Sequence, residues 1–384
     1  MLRRRMQLVT RRSLITGPRF TPIVQRLPSI VPFVAPEEVE RVRGRPFVAR
    51  LGANELTLGP SSKSLEAMRE ACAESWKYGD PKSYELRSEL AQRHNCTMDN
   101  IVVGEGIDGL LNVTAGLLVG CDDAVVTTQG TYPTLNYFVA GRGGRLETVP
   151  YADDGHVDLD ALSAKAHETD AKIVYVVNPD NPSGTWRSAA AIEDFLESLP
   201  PGCLLILDEA YSELCEAPLP LIADDDLRVI RLRTFSKAYG LAGTRIGYAL
   251  GNVNIISQFC KIRNHFGVNK VAQAGALAAL RDDEHLAKIC DAVRTGRETL
   301  VQIAADHRLT CLPSATNFVT INCGRDASFA RRILADLQER DVFVRMPTAK
   351  PLDGHIRVSA SSPADLAVFA TAFAAAIETA RRGD

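Results

Sequence analysis

Long apolar runs, paired cysteines and aromatic side chains are all scarce in this chain of 384 residues. Of its uncharged stretches, Gly109 to Cys121 contains Gly, Asn and Thr, and Ala124 to Gly141 is broken by Gln129, Gly130 and Pro133. Neither supplies the ~18 consecutive apolar residues of a membrane span. Nine cysteines are present, but the nearest in sequence, Cys203/Cys215 and Cys311/Cys323, stand 12 apart. Without CxxC spacing there is no zinc or redox motif, and the thiols read as reduced and mostly buried. The seven histidines form no HExxH or close pair, so no metal site is expected. Trp76 and Trp186 read as packing or rim residues, and Asp224 to Asp226 as a solvated acidic loop. Acid is missing from residues 1–36, which hold seven arginines. With a net charge of −3 overall, the remainder carries ten excess negative charges, and nucleic acid is not its expected partner. Arg11-Arg12 has the look of a twin-arginine signal, yet Ser-Leu-Ile-Thr-Gly-Pro follows instead of an apolar stretch, so a plain tail is expected.

What is present describes a globular protein: 46% hydrophobic and 24% charged residues in a length that suits about two domains. From Asn100 onward, short β-branched runs alternate with helical stretches: Ile101-Val103, Ala124-Thr128, Leu146-Val149, Ile173-Val177, Leu204-Leu207, Val229-Leu232 and Ile246-Leu250. Seven such runs, apolar on both faces, predict an α/β fold whose mainly parallel sheet is covered by helices on each side. After about Asn269 a long helical region runs through Ala304. Strand-like segments Asn317-Ile321, Val342-Arg345 and His355-Ser359 follow, with helices near Ser328-Gln338 and Pro363-Arg381, which predicts a smaller α+β domain. The expected divisions are 1–45 for a tail and arm, 46–275 for the large domain and 276–384 for the small one.

Chemistry concentrates just after predicted strands. Thr234-Phe235-Ser236-Lys237 follows the sixth run, Asp208-Glu209-Ala210-Tyr211 the fifth, and Asn178-Pro179-Asp180-Asn181-Pro182-Ser183-Gly184 the fourth. In an open α/β sheet these loops share one crevice beyond the carboxyl ends of the strands. A lone lysine is usually a solvated surface charge. An acid leaving a buried apolar run is different, because it costs desolvation unless a cation meets it. A protonated pyridine nitrogen would be such a cation.

From about Pro32 to the C-terminus the sequence resembles the fold-type I pyridoxal-phosphate (PLP) aminotransferases, within them the histidinol-phosphate aminotransferase group. The resemblance rests on LGANE, GPS, YELR, GEGIDG, NPDNPSG, DEAY, TFSKAYGLAGTRIGY and IRVS in that order. It implies that Lys237 forms the Schiff base with PLP and then carries the proton, and that Asp208 keeps the pyridine nitrogen protonated. Tyr211 and Asn181 would bond the phenolic oxygen, and Tyr132 would stack on the ring. Gly106, Ile107 and Asp108 open a helix toward the phosphate, and Thr234, Ser236 and Arg245 would complete that cup. Tyr78 would reach the phosphate of the other subunit in a homodimer. Arg357 would grip a substrate carboxylate, with Arg345, Asn54 and Phe33 also on the substrate side.

Three positions depart from the family. Phe33 stands where a tyrosine is usual, Gly79 where a proline is usual after Tyr78, and Gly109 where an acid often follows Asp108. The resemblance implies a cytoplasmic transaminase with ping-pong kinetics. Decarboxylation, epimerisation or cyclisation at the same cofactor is the alternative, and a non-catalytic binding module of the same fold a more distant one.

Overall fold

A computed structural model describes residues 18–29, 34–223 and 225–382; the N-terminal tail through Gly17 and Phe33 lie outside the described residues. Twelve strands are present among them: β1 (Ala49–Arg50), β2 (Ile101–Gly104), β3 (Ala124–Thr128), β4 (Arg145–Val149), β5 (Ile173–Val177), β6 (Leu204–Asp208), β7 (Val229–Thr234), β8 (Gly247–Gly251), β9 (Thr310–Cys311), β10 (Phe318–Asn322), β11 (Val342–Phe343) and β12 (His355–Ser359). The seven runs predicted from periodicity form one sheet in the order β2-β8-β7-β6-β5-β3-β4. Only β8 runs against its neighbours, pairing antiparallel with both β2 and β7.

Strand periodicity explains why this sheet needs cover on both faces. Ile173, Tyr175 and Val177 of β5, with Leu204 and Ile206 of β6, enter one cluster with Ile107, Leu110 and Leu111 of helix Gly106–Leu118. Val174, Val176, Leu205 and Leu207 point the other way, onto Leu162 and Ala166 of helix Leu159–Thr169 and Ile192 and Phe195 of helix Ala189–Ser198. Apart from the Tyr175 hydroxyl, which meets Asp208, a polar group left unmet at these positions would cost roughly 1–3 kcal/mol or more.

The C-terminal unit is built on β9, β10 and β12, an antiparallel sheet in the order β12-β10-β9. Its core also takes the 20-residue helix Pro363–Arg382, whose apolar Leu366, Phe369, Phe373 and Ile377 are buried there, so the length and apolarity of that helix are used in packing. Two features differ from expectation. The long helical region after Asn269 is two helices, Lys270–Leu280 and Asp283–Asp306, separated at Arg281 and Asp282. And β1, grouped by its place in sequence with the large domain, pairs in parallel with β11, while Ala49 and Leu51 pack in the C-terminal core. A two-residue strand carries no periodic signal, so only its partner reveals it.

The sheet direction positions the site. Strands β2, β3, β5, β6 and β7 end at one edge, and the reversed β8 begins there. Residues from the loops after five strands, the last of which leads into β8, therefore converge.

Candidate active site

At that edge lies a cavity of ≈ 380 Å³ lined by Ile107, Asp108, Tyr132, Asn181, Asp208, Tyr211, Thr234, Ser236, Lys237 and Arg245. It adjoins a second of ≈ 510 Å³, which shares Asp108, Tyr132, Asn181 and Lys237 and adds Asn54, Arg345 and Arg357.

Lys237 stands three residues past β7. Its Nζ donates to the Asn54 carbonyl at 3.1 Å and lies 5.7 Å from the centroid of the Tyr211 ring. Burial, reinforced by the positive charge of Arg357 and Arg245, lowers its pKa to about 8. Asp208, the last residue of β6, is 2% exposed. Its Oδ1 accepts from the Ala210 N–H at 3.0 Å and its Oδ2 from the Tyr175 hydroxyl at 2.7 Å. No lysine or arginine among the described residues forms an ion pair with it, and burial pushes it up to about 7. Tyr211 is fixed by Asn54 Nδ2, which donates to its Oη at 3.0 Å, and by an edge-on contact with Phe318. Asn54 holds a left-handed backbone with φ of 54°, which asparagine tolerates.

The anion end is built around the first turn of helix Gly106–Leu118. Gly106 has φ of 74°, and a Cβ there would stand 2.8 Å from the Arg245 guanidinium, so only glycine lets the two approach. Arg245 contacts Asp108 at 3.3 Å, and the other Asp108 oxygen accepts from the Tyr132 hydroxyl at 2.9 Å. One carboxylate thus ties the aromatic that faces the cavity to the arginine of the cup. Thr234 Oγ1 donates to Ser236 Oγ at 2.9 Å on the opposite wall.

Arg357, in the middle of β12, reaches into the second cavity. One guanidinium nitrogen donates to Asn181 Oδ1 and another to the Gly52 carbonyl at 2.7 Å. Its Nε is buried without a partner, and no carboxylate among the described residues pairs with it. Arg345 sits beside it, joined by backbone bonds between the two residues, and donates to the Val34 carbonyl.

These positions suit pyridoxal phosphate. A buried carboxylate short of a cation answers a pyridinium, a half-buried amine of lowered pKa answers an aldehyde, and a helix N-terminus with an arginine and two hydroxyls answers a phosphate. The model for aminotransferase class I and II matches residues 48–373. The chain belongs to this family. It is a PLP-dependent aminotransferase of fold type I. It is similar to the histidinol-phosphate aminotransferase of Moorella thermoacetica, 33% identical over 90% of this chain and 89% of that one. That of Anaeromyxobacter sp. is 36% identical over 86% and 91%. The crystal structure of histidinol-phosphate aminotransferase from Sinorhizobium meliloti in complex with pyridoxal-5'-phosphate overlays with a TM-score of 0.92 at 46% identity, covering 95% of this chain and 99% of that one.

Two of the residues named from sequence are not brought into the aminotransferase's cavities. Tyr78 lines neither; its ring packs on Phe266 at 4.9 Å and is 82% exposed. Gly106 also lines neither cavity, though it adjoins the Arg245 guanidinium. The glycine after Tyr78 has a local reason, since a Cβ at position 79 would lie 2.7 Å from the Gln273 amide and 3.0 Å from the Val268 carbonyl. Tyr175 was missed by sequence reading. In an apolar strand it reads as core, and only the parallel register of β5 on β6 puts its hydroxyl against Asp208.

Proposed function

We propose that this aminotransferase moves an amino group between an amino acid and a 2-oxo acid or related ketone, with histidinol phosphate the first amino substrate to test. When bound, pyridoxal phosphate supplies a cationic conjugated ring that accepts the electron pair left when a substrate Cα–H bond breaks. Lys237 would hold it covalently and, once freed, take the Cα proton on Nζ. A pKa lowered to about 8 leaves about half of that amine neutral, and so able to act as a base, at pH 8. Asp208 would accept the ring N–H. The Tyr211 hydroxyl and Asn181 Nδ2 would donate to the phenolic oxygen. The Oη of Tyr211 already receives Asn54, and the Oδ1 of Asn181 receives Arg357, so each has its donor free to point inward. Thr234, Ser236, Arg245 and the N–H groups of Ile107 and Asp108 would hold the phosphate.

The observation that carries the substrate reading is Arg357. A half-buried guanidinium held by an amide oxygen and a carbonyl, with a buried Nε unmet, is a cation without an anion among the described residues. A carboxylate or phosphate of the substrate supplies that anion. Arg345, 5.3 Å above the Phe343 ring, adds a second positive charge at the outer cavity.

Homodimerisation is part of the reading. Trp76, Tyr78, Ile262 and Phe266 are all more than half exposed, and partner burial would cover them while bringing Tyr78 to the neighbouring cup. A cytoplasmic location belongs to the same reading, supported by nine cysteines that form no disulfide among them.

A single half-turnover with a panel of amino donors tests the function. Stoichiometric conversion of histidinol phosphate or glutamate to its oxo product, with the amino group retained on the enzyme, supports transamination. Release of carbon dioxide or of an epimer in its place overturns it.

A further inference from the structure

Asp208 is held by neutral donors alone, and one of them comes from a neighbouring strand. The Tyr175 hydroxyl lies 2.7 Å from Asp208 Oδ2, and both residues are buried. Tyr175 sits three residues before the Asn178 loop, on the β5 face that packs against Ile206 and Ile107. Its backbone carbonyl is fixed in turn by the Thr127 hydroxyl of β3 at 3.0 Å. The ring therefore cannot swing away without opening the core.

We propose that Tyr175 is a positioning residue for the ring-nitrogen acid: its hydroxyl orients the Asp208 carboxylate and keeps it an acceptor toward the cofactor. The inference rests on Asp208 meeting the pyridine nitrogen. A phenol has one proton to give, and burial together with the neighbouring Asp208 pushes the Tyr175 hydroxyl well above its ordinary range, so it stays a donor. The groups around Asp208 make that donor necessary. Asp108 and Glu209 are like charges that favour its protonation, and Tyr132 and Tyr211 are neutral. Against burial and two carboxylates stand, among the described residues, the hydrogen bonds from the Tyr175 hydroxyl and the Ala210 N–H. With Tyr175 gone, the proton shared by Asp208 and the ring moves toward Asp208, and the ring loses positive character.

Tyr175→Phe keeps every ring carbon and removes one oxygen. Holoenzyme reconstituted with ring-15N pyridoxal phosphate is the readout, with Asp208→Asn beside it. Wild type is expected at the protonated-pyridine chemical shift and Y175F displaced toward the unprotonated one, with the first half-reaction roughly ten- to a hundredfold slower, as for loss of a hydrogen bond to an ionised group. A Y175F resonance that coincides with wild type while that of D208N moves overturns the proposal, whatever Y175F does to the melting temperature, because a purely structural role lowers Tm without moving the nitrogen. If D208N also leaves the resonance at the wild-type position, the ring-nitrogen assignment of Asp208 is the one that fails.

Discussion

Asp208 and Glu209 are adjacent, both buried, and opposite in character. Glu209 accepts from Arg231 at 2.8 and 3.0 Å and from Arg233 at 2.9 Å, and those cations hold it below its ordinary range despite burial. Asp208 has two neutral donors and no cation, and burial raises it to about 7. The same contrast separates two arginines. Arg233 is pinned between Glu209 and Glu213, whereas Arg357 meets, among the described residues, the neutral oxygens of Asn181 and Gly52. Behind the sheet edge, charge is compensated within the protein and serves the fold. In front of it, Arg245 meets Asp108, but Asp208, Lys237 and Arg357 each lack, among the described residues, an opposite charge that a cofactor and a substrate would bring. Burial alone does not distinguish the two; the partner list does.

The largest test of that division is Lys237→Ala. Covalent capture of pyridoxal phosphate by borohydride, followed by intact mass, is expected to vanish, and turnover to fall by a factor on the order of 10⁴ or more. A retained mass increment on another lysine would dissolve the front region as drawn.

Next come the two acids. Asp208→Asn is expected to lower kcat by more than about a hundredfold with little loss of stability, since it removes a carboxylate that the fold leaves uncompensated. Glu209→Gln should do the reverse, destabilising by about 3 kcal/mol in urea melts because two arginines are left facing an amide, with kcat of the folded fraction nearly unchanged. Equal effects of the two variants on both measurements would erase the distinction between the regions.

Arg357→Ala is expected to raise KM for the carboxylate-bearing partner by roughly a hundredfold while pyridoxal phosphate affinity, read by absorbance titration, changes less than about threefold. Arg357→Lys recovers part of the loss, because the charge returns without the planar fork.

The smallest effect is on the stability of the cofactor-free protein against pH. Asp208 titrates near 3.8 when unfolded and about 7 when folded, so between those values the unfolded state binds fewer protons and stability falls as pH rises. Lys237 titrates at 10.5 unfolded and about 8 folded, so between pH 8 and 10.5 the unfolded state binds more protons and stability rises with pH. Asp208→Asn should flatten the acid limb and Lys237→Met the alkaline one, each by a few degrees of Tm. Limbs that persist in both variants would assign the titrations to other groups.

The central sheet was written in the chain. Seven runs of three to five residues, apolar on both faces, call for a helical layer on each side, and the residues that follow them must meet at one edge. That logic reached Lys237, Asp208, Tyr211 and Asn181 by position, and the resemblance of the motifs supplied their roles. Tertiary structure alone decided three things. The pairing of β1 with β11 joins residues almost 300 apart, across a distance no local pattern encodes. The ion pairs that separate Glu209 from Asp208 depend on Arg231 and Arg233 of β7 lying in register beside β6. And Tyr175 touches Asp208 only because β5 and β6 run parallel at that offset. A side chain's periodicity fixes which face it takes; which charge it meets there is set by the neighbouring strand.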